Sequence, residues 1–336
     1  MKTKEVAFYS RQQKIIGTVY LPEDYQEGTK LPCIIPCSGY TGINAAYPAL
    51  LARFFTKHGY ACLGFDYRGW APSEGEVGVT TAEDEYFDIE AAYIFACQQP
   101  EFDAERIGLF GWGFAASIVI KLAANYPEIK AVGCGNGFYN GERLIKTILG
   151  WKDYQTFRKI IREDLTRRVL TGEKGAMTSP YYQDGHGIAF AYDAKTRPEL
   201  TLEWLTNSDS LDYYCDDKEE RKTTFMDLKE VREAIKKNWH GKFPPKQSFI
   251  STESFLRVDA VPDAKKMSPR PIYLVHATED DTYPVSEAEA FASEIGPRCK
   301  TCFVKGDHNN FMFDNDPEFG KFSQSILGFY DAILKN

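Results

Sequence analysis

The sequence predicts an α/β protein with a doubly wound, mainly parallel sheet of about eight strands and an inserted helical cap. Two observations lead to this fold class. Short apolar runs of the buried-strand type alternate with helical patterns, which is typical of a parallel sheet covered on both faces. One long stretch, 138–266, then shows helical periodicity with little strand signal and interrupts the alternation.

The chain opens with a predicted antiparallel hairpin. Residues 6–10 and 14–21 alternate or run apolar on either side of a polar turn. Thr80 with Glu83 fits a capping box at the start of the second helix. Because ligands bind beyond the carboxyl ends of parallel strands, we expect the loops after the buried runs to carry the site. The buried-strand runs are 33–36, 61–66, 107–110, 131–134, 272–276 and 301–304, and the helical patterns are 47–57, 81–98, 114–125, 285–295 and 319–334.

We interpret residues 138–266 as a helical cap inserted after the sixth strand, so that residues 1–137 and 267–336 form the core domain. The cap is rich in aromatic residues. Most of them are expected to pack the cap itself, but lids are where such folds vary their specificity, so some should line the substrate pocket. The candidate substrate-binding residues are Trp112, Tyr139, Tyr181, Tyr182 and Trp204.

Composition and charge narrow the class of partner. The 336 residues carry 40 Lys and Arg against 48 Asp and Glu, a net charge of −8, which disfavours a nucleic-acid partner. The N-terminus does not resemble a signal peptide, and the longest apolar run, 107–120, is shorter than a membrane span. We therefore expect a soluble cytoplasmic protein that acts on a small-molecule substrate and has no membrane partner. A homodimer is compatible with the sequence.

The eight cysteines lie mostly within strand-like or helical runs, as is typical of reduced, buried thiols. Cys299 and Cys302 form a CxxC, but no second CxxC and no histidine pair at ligand spacing accompanies it. We therefore expect neither a metal nor another cofactor.

A glycine-bounded turn joins the strand at 107–110 to the next helix. The G-x-S-x-G elbow uses this geometry to raise a serine above the sheet, with small residues two positions to either side. Here the segment reads Gly-Trp-Gly-Phe-Ala over 111–115, so both flanking small residues are present and the serine position is Gly113. Ser117 lies one helical turn further on, faces away from the elbow and is a poor substitute.

Two later loops supply an acid and a histidine. The strand at 272–276 leads into Glu279, Asp280 and Asp281, and a carboxylate there can orient and charge-stabilise an imidazole. The strand at 301–304 leads into His308. The order elbow, acid, histidine along the chain is that of a nucleophile–acid–histidine triad. We predict a hydrogen bond between His308 and Asp280, with Asp281 and Glu279 as fallback acids.

With these residues in place, the sequence resembles the α/β-hydrolase superfamily, nearest to the dienelactone-hydrolase and X-Pro-dipeptidyl-peptidase-like esterases. The similarity covers about 30–137 and 267–336 and leaves out the cap. Residues 64–75 also resemble the family's D-x-R-G-x-G-x-S-x-G segment, in which Asp66 and Arg68 are expected to be structural. The resemblance implies the α/β-hydrolase fold and action on an ester, thioester, lactone or similar carbonyl of a small organic substrate.

The chain departs from the family pattern in three places. After the third strand the family has His-Gly and this chain has Ser-Gly at 38–39, where the backbone N–H groups of Tyr40 and Phe114 are the implied oxyanion donors. Before the acid, the family's His-Gly is His-Ala at 276–277. Most importantly, the nucleophilic serine that the resemblance implies is replaced by Gly113.

Two explanations of Gly113 are open. Either a parent enzyme with serine has been altered here, or glycine is natural and the His308–Asp280 pair serves non-covalent chemistry. With natural glycine, His308 would be a general base that activates water for hydrolysis, or moves a substrate proton as in a lyase or isomerase. A non-catalytic ligand-binding protein is a third interpretation.

Overall fold

The main sheet has eight strands, and the predicted fold class is confirmed. The computed structural model describes residues 1–40, 42–44, 47–178, 247–280, 282–308 and 316–335. The strands of the main sheet are β1 (Lys2–Ser10), β2 (Gln13–Leu21), β3 (Leu31–Cys37), β4 (Ala61–Phe65), β5 (Phe102–Trp112), β6 (Ala131–Gly135), β9 (Ile272–Ala277) and β10 (Cys299–Val304). Their order across the sheet is β1-β2-β4-β3-β5-β6-β9-β10. β1 and β2 form the predicted antiparallel hairpin, β2 also runs antiparallel to β4, and all other pairs in this sheet are parallel.

The helices that follow the strands agree closely with the sequence periodicity. The five predicted helices are α1 (Pro48–Lys57), α2 (Ala82–Cys97), α3 (Ala115–Asn125), α7 (Ser286–Ile295) and α8 (Pro317–Leu334). The capping prediction is wrong by one residue: Thr81 is the N-cap of α2, and its hydroxyl accepts the Asp84 N–H at 3.0 Å. The Thr80 hydroxyl instead accepts a hydrogen bond from the indole of Trp70 at 3.1 Å. Within the described ranges, no helix combines the length and apolar character needed to cross a membrane.

The segment after β6 begins and ends in helices. The first is α4 (Gly141–Thr171), which is broken at Gly150, and α5 (Phe249–Leu256) and α6 (Val261–Lys266) lead back to the sheet. Between them, β7 (Met177–Thr178) pairs with β8 (Gln247–Ser248). Tyr181, Tyr182 and Trp204 lie outside the described residues. The cap and its boundaries, 138–266, therefore stay a prediction.

The loop after β4 is tied to its neighbours by buried polar contacts. The Asp66 carboxylate accepts the backbone N–H of Asn44 at 2.8 Å. The Arg68 guanidinium donates to Asp84, Asp88 and the Ser10 hydroxyl, at 2.6 to 3.0 Å. These contacts join β1, the loop after β4 and α2, which is the structural role that the sequence predicts for Asp66 and Arg68.

Candidate active site

The turn between β5 and α3 has the backbone geometry of a nucleophile elbow. Gly113 has φ +55°, in the left-handed region that a residue with a side chain adopts only under strain. Its N–H is held by the carbonyl of Gly135 at 2.8 Å. Gly111 must be small, because a Cβ there would lie 2.5 Å from the carbonyl oxygen of Ala115. The turn therefore keeps the tight closure that the motif requires.

A side chain at position 113 would point toward His308. A Cβ built on Gly113 would lie 3.8 Å from His308 Nε2 and 3.5 Å from Cε2 of Tyr283, both ordinary van der Waals distances. A hydroxyl one bond further would come within hydrogen-bonding reach of that imidazole nitrogen. The elbow can thus accept a serine sterically, although the sequence does not supply one.

His308 and Asp280 are within hydrogen-bonding distance, as the chain order predicts. His308 Nδ1 lies 2.8 Å from Asp280 Oδ2. The other oxygen, Oδ1, accepts the backbone N–H groups of Thr282 and Tyr283, both at 2.8 Å. Because a carboxylate only accepts hydrogen bonds, Nδ1 carries the proton of the neutral imidazole, and the lone pair of Nε2 is then directed toward Gly113. Asp281 lies outside the described residues.

A second histidine, His276 on β9, lies beneath the acid loop. Its side chain is fully buried, with Nε2 2.8 Å from the carbonyl oxygen of Tyr283 and 3.5 Å from Asp280 Oδ2. Burial lowers the pKa of His276, so the ring is neutral near pH 7. The neutral ring donates its Nε2–H to Tyr283 and fixes the loop that carries Asp280.

The implied oxyanion loop lies against the elbow. A Cβ on Gly39 would be 3.0 Å from the carbonyl oxygen of Trp112 and 3.7 Å from the backbone nitrogen of Phe114. Phe114 is the N-cap residue of α3, where unpaired N–H groups and the helix dipole favour negative charge. Tyr40 follows Gly39, and its ring lies 6.1 Å from that of Phe114. The two implied donors are therefore neighbours, and their role stays a prediction.

Aromatic rings surround the elbow. Phe114 stacks with Phe138 at 5.8 Å and with Phe255 of α5 at 5.3 Å, while Tyr283 meets Phe138 edge-on at 5.1 Å. Tyr283 also meets the His308 ring edge-on at 5.1 Å. No motif in the sequence marks Phe138, Phe255 or Tyr283. Their only signal is a position close to a strand end or to the end of the inserted segment.

The predicted substrate-binding residues that the structure describes are both buried. Trp112 stacks on Tyr47 at 5.1 Å and packs edge-on against the His308 ring at 6.0 Å. Tyr139 has no exposed surface and stacks on Phe291 at 4.1 Å. A substrate contact by either ring stays a prediction. Ser117 is buried and donates to the carbonyl of Phe138, in agreement with its dismissal as a nucleophile.

The sheet order and the elbow define the class of protein: this chain has the α/β-hydrolase fold. The crystal structure of the α/β hydrolase GrgF from Penicillium sp. sh18 matches it with a TM-score of 0.71 and 16% identity over 100% of both chains. Residues 14–141 match the X-Pro dipeptidyl-peptidase (S15) family. The predicted resemblance to the α/β-hydrolase fold and to X-Pro dipeptidyl-peptidases is confirmed.

Similar sequences cover different shares of the chain. An uncharacterized 31.7 kDa protein of Escherichia coli is 29% identical over 188 residues, which are 55% of this chain and 66% of that protein. The chain thus aligns with just under two thirds of the length of that relative. The thiohydrolase aneE of Aspergillus aculeatus is 23% identical over 304 residues, 89% of this chain and 84% of that protein.

Proposed function

We propose that this protein hydrolyses an ester, thioester or lactone of a small organic substrate, with His308 as a general base that activates water. One observation carries the proposal: the His308–Asp280 pair directs Nε2 toward the space above Gly113, 3.8 Å from the Cβ position. In a serine hydrolase, the nucleophile occupies that position. Glycine leaves room there for a water molecule, so the nucleophile in the proposed reaction is water and not a side chain of the protein.

The proposed reaction needs only groups of this chain and water. A water oxygen attacks the carbonyl carbon while His308 Nε2 takes its proton, and Asp280 stabilises the resulting imidazolium. Negative charge develops on the carbonyl oxygen, which the backbone N–H groups of Tyr40 and Phe114 would bind. The C–O or C–S bond then breaks, the leaving group takes the proton from His308, and a carboxylic acid is released.

The surroundings of the elbow support a neutral, partly apolar substrate. The buried rings of Phe114, Phe138, Phe255 and Tyr283 pack against one another around the elbow, so its surroundings are apolar. The net charge of −8 disfavours an anionic phosphate ester. The similarity to a fungal thiohydrolase supports the inclusion of thioesters among the candidates.

The test is a set of activity profiles on ester, thioester and lactone libraries for the unmodified protein, His308→Gln and Gly113→Ser. We expect turnover by the unmodified protein and a loss of about 10²- to 10⁴-fold in His308→Gln, since general-base catalysis contributes that much. His58→Gln is the matched control, because His58 caps α1 and its imidazole Nδ1 is paired with the carbonyl of Phe54.

Gly113→Ser separates the proposed use of water from a serine mechanism. If water is the nucleophile, the added hydroxymethyl group fills its place and activity falls. If activity instead rises by orders of magnitude and a fluorophosphonate labels the new serine, the chain is a serine hydrolase that lacks its nucleophile. Isomerised or eliminated products would indicate a lyase or isomerase, and absence of turnover in every variant would leave a ligand-binding protein.

A further inference from the structure

Two consecutive residues at the end of β6 contact all three chain segments that carry the site. The carbonyl of Gly135 accepts the N–H of Gly113 at 2.8 Å. The next side chain, Asn136, donates from Nδ2 to the backbone carbonyl of His308 at 2.6 Å. Its Oδ1 accepts the N–H of Ala277 at 2.8 Å, three residues before the acid.

The orientation of the Asn136 amide is determined by its partners. The Ala277 N–H can only donate and the His308 carbonyl can only accept, so exchanging the amide oxygen and nitrogen would break both hydrogen bonds. The residue is fully buried, and its own N–H donates to the carbonyl of Val275 at 2.9 Å. Its φ of +41° lies in the left-handed region that asparagine tolerates better than most residues with a side chain.

Orientation of the His308 ring and placement of its backbone are separate requirements. The Asp280 carboxylate orients the imidazole through Nδ1, and the rings of Trp112 and Tyr283 meet it edge-on. The position of the His308 backbone sets the distance between Nε2 and residue 113. We infer that Asn136 is a positioning residue, which sets that distance by holding the His308 carbonyl against β9, the strand that leads into Asp280. This inference rests on the proposed function of His308.

The test compares Asn136→Asp and Asn136→Gly, each in the unmodified protein and in His308→Gln. Aspartate keeps the acceptor for Ala277 and the tolerance of positive φ, but has no amide donor for the His308 carbonyl. Glycine keeps the backbone conformation and removes the whole amide. With p-nitrophenyl acetate and a thioester as probes, we expect kcat to fall by about 10- to 100-fold and KM to change by less than about twofold, as for a small misplacement of a catalytic group.

The His308→Gln background distinguishes positioning from a structural role. The glutamine substitution leaves the backbone carbonyl at position 308 in place, so the Asn136 variants should lower the free energy of unfolding equally in both backgrounds. If Asn136 acts through the imidazole, they should lower kcat only where His308 is present. An equal loss of kcat in both backgrounds, or no loss in either, would overturn the inference. If His308→Gln itself leaves activity unchanged, the proposed function is what fails.

An NMR measurement, which does not depend on turnover, tests the role of Asn136 even if the proposed function fails. The proton shared by His308 Nδ1 and Asp280 should give a low-field ¹H NMR resonance, assigned by its absence in His308→Gln. We expect this resonance to shift or broaden in both Asn136 variants, because the donor and acceptor no longer hold the same separation. An unchanged resonance would show that Asn136 does not position the ring.

Discussion

At the scale of single residues, the hydrogen bonds of Asp280 determine which tautomer His308 can adopt. Oδ1 accepts two backbone N–H groups and Oδ2 accepts the imidazole Nδ1–H. In Asp280→Asn, the amide oxygen would stay with the backbone donors and the NH₂ group would face Nδ1. The imidazole must then place its proton on Nε2, which removes the base.

We expect Asp280→Asn to lower kcat by about 10⁴-fold while the fold is retained, as in other sites where a wrong tautomer is imposed. The measurement is steady-state hydrolysis across pH 6 to 9 together with circular dichroism. A variant that keeps more than about a tenth of the activity would show that Asp280 does not hold the tautomer. Glu279→Gln, an exposed neighbouring carboxylate, is the matched control.

The buried carboxyl of Asp66 predicts a free energy of unfolding that depends on pH. Its carboxyl is buried, and burial raises the pKa to about 7, with the Asn44 N–H acting in the opposite direction. In the unfolded chain an aspartate has a pKa of about 4. Between these values the folded state holds the proton more tightly, so the contribution of Asp66 to stability falls as the pH rises and is constant above about 7.

Asp66→Asn should remove this pH dependence, since asparagine does not titrate and can still accept the Asn44 N–H. We expect the variant to gain stability over the unmodified protein as the pH rises from about 4 to 7, by up to about 4 kcal/mol, because each tenfold change in the acid constant is worth about 1.4 kcal/mol. Urea unfolding at intervals between pH 4.5 and 8 measures the difference. A difference that does not change with pH contradicts the assignment.

At the scale of elements, periodicity predicted the helices and strands well, because it is a local property of the chain. The five expected helices begin and end within about two residues of the observed ones. The capping box failed by one residue, since Thr80 and Thr81 are chemically equivalent and only the surrounding contacts distinguish them.

The site was predictable only where a motif or the order of loops marked a residue. Gly113 lies in the elbow motif, and Asp280 and His308 follow the last two predicted strands, so the sequence marks all three as candidates. No motif marks Asn136, because its two partners are 141 and 172 positions away in the sequence and such contacts leave no local pattern. Tyr283 was missed for the same reason: its contacts with His308 and Phe138 exist only in the folded chain.

The cap of α2 gives a prediction at this scale. The Thr81 hydroxyl accepts the Asp84 N–H at 3.0 Å and donates to the Asp84 carboxylate at 2.8 Å. Thr81→Ala should lower the free energy of unfolding by about 1 kcal/mol, as loss of an N-cap side chain does in other helices. Thr156→Ala is the control, because Thr156 is exposed on α4 and should change stability by less than about 0.5 kcal/mol. Equal effects in urea unfolding would rule out the cap.

At the scale of the whole molecule, the parallel sheet explains why the residues of the candidate site lie together although they are far apart in sequence. The segments at 38–40, 113–114, 136, 280 and 308 follow β3, β5, β6, β9 and β10, respectively. The carboxyl ends of parallel strands meet at one edge of the sheet, so these segments become neighbours once the strands pair. The site therefore depends on the integrity of the sheet as a single unit.

The buried thiols of the sheet make that dependence measurable. Cys33, Cys37, Cys62 and Cys134 are at most 1% exposed, and burial raises the pKa of each thiol. A thiol reacts as the thiolate, so these four should resist alkylation by iodoacetamide at pH 8 while the sheet is folded. Cys302 on the edge strand β10 is partly exposed and provides the internal comparison.

We expect the four central thiols to become reactive together, over the same range of urea concentration in which the fluorescence of the protein reports global unfolding. Their protection then reflects one cooperative opening rather than separate local ones. Site-resolved mass spectrometry of alkylated peptides gives the four curves independently of every other cysteine. If Cys134 on β6 were to react well before Cys62 on β4, the half of the sheet that carries Asp280 and His308 would open on its own. The proposed hydrolytic activity would then be lost at that lower urea concentration, before the rest of the sheet unfolds.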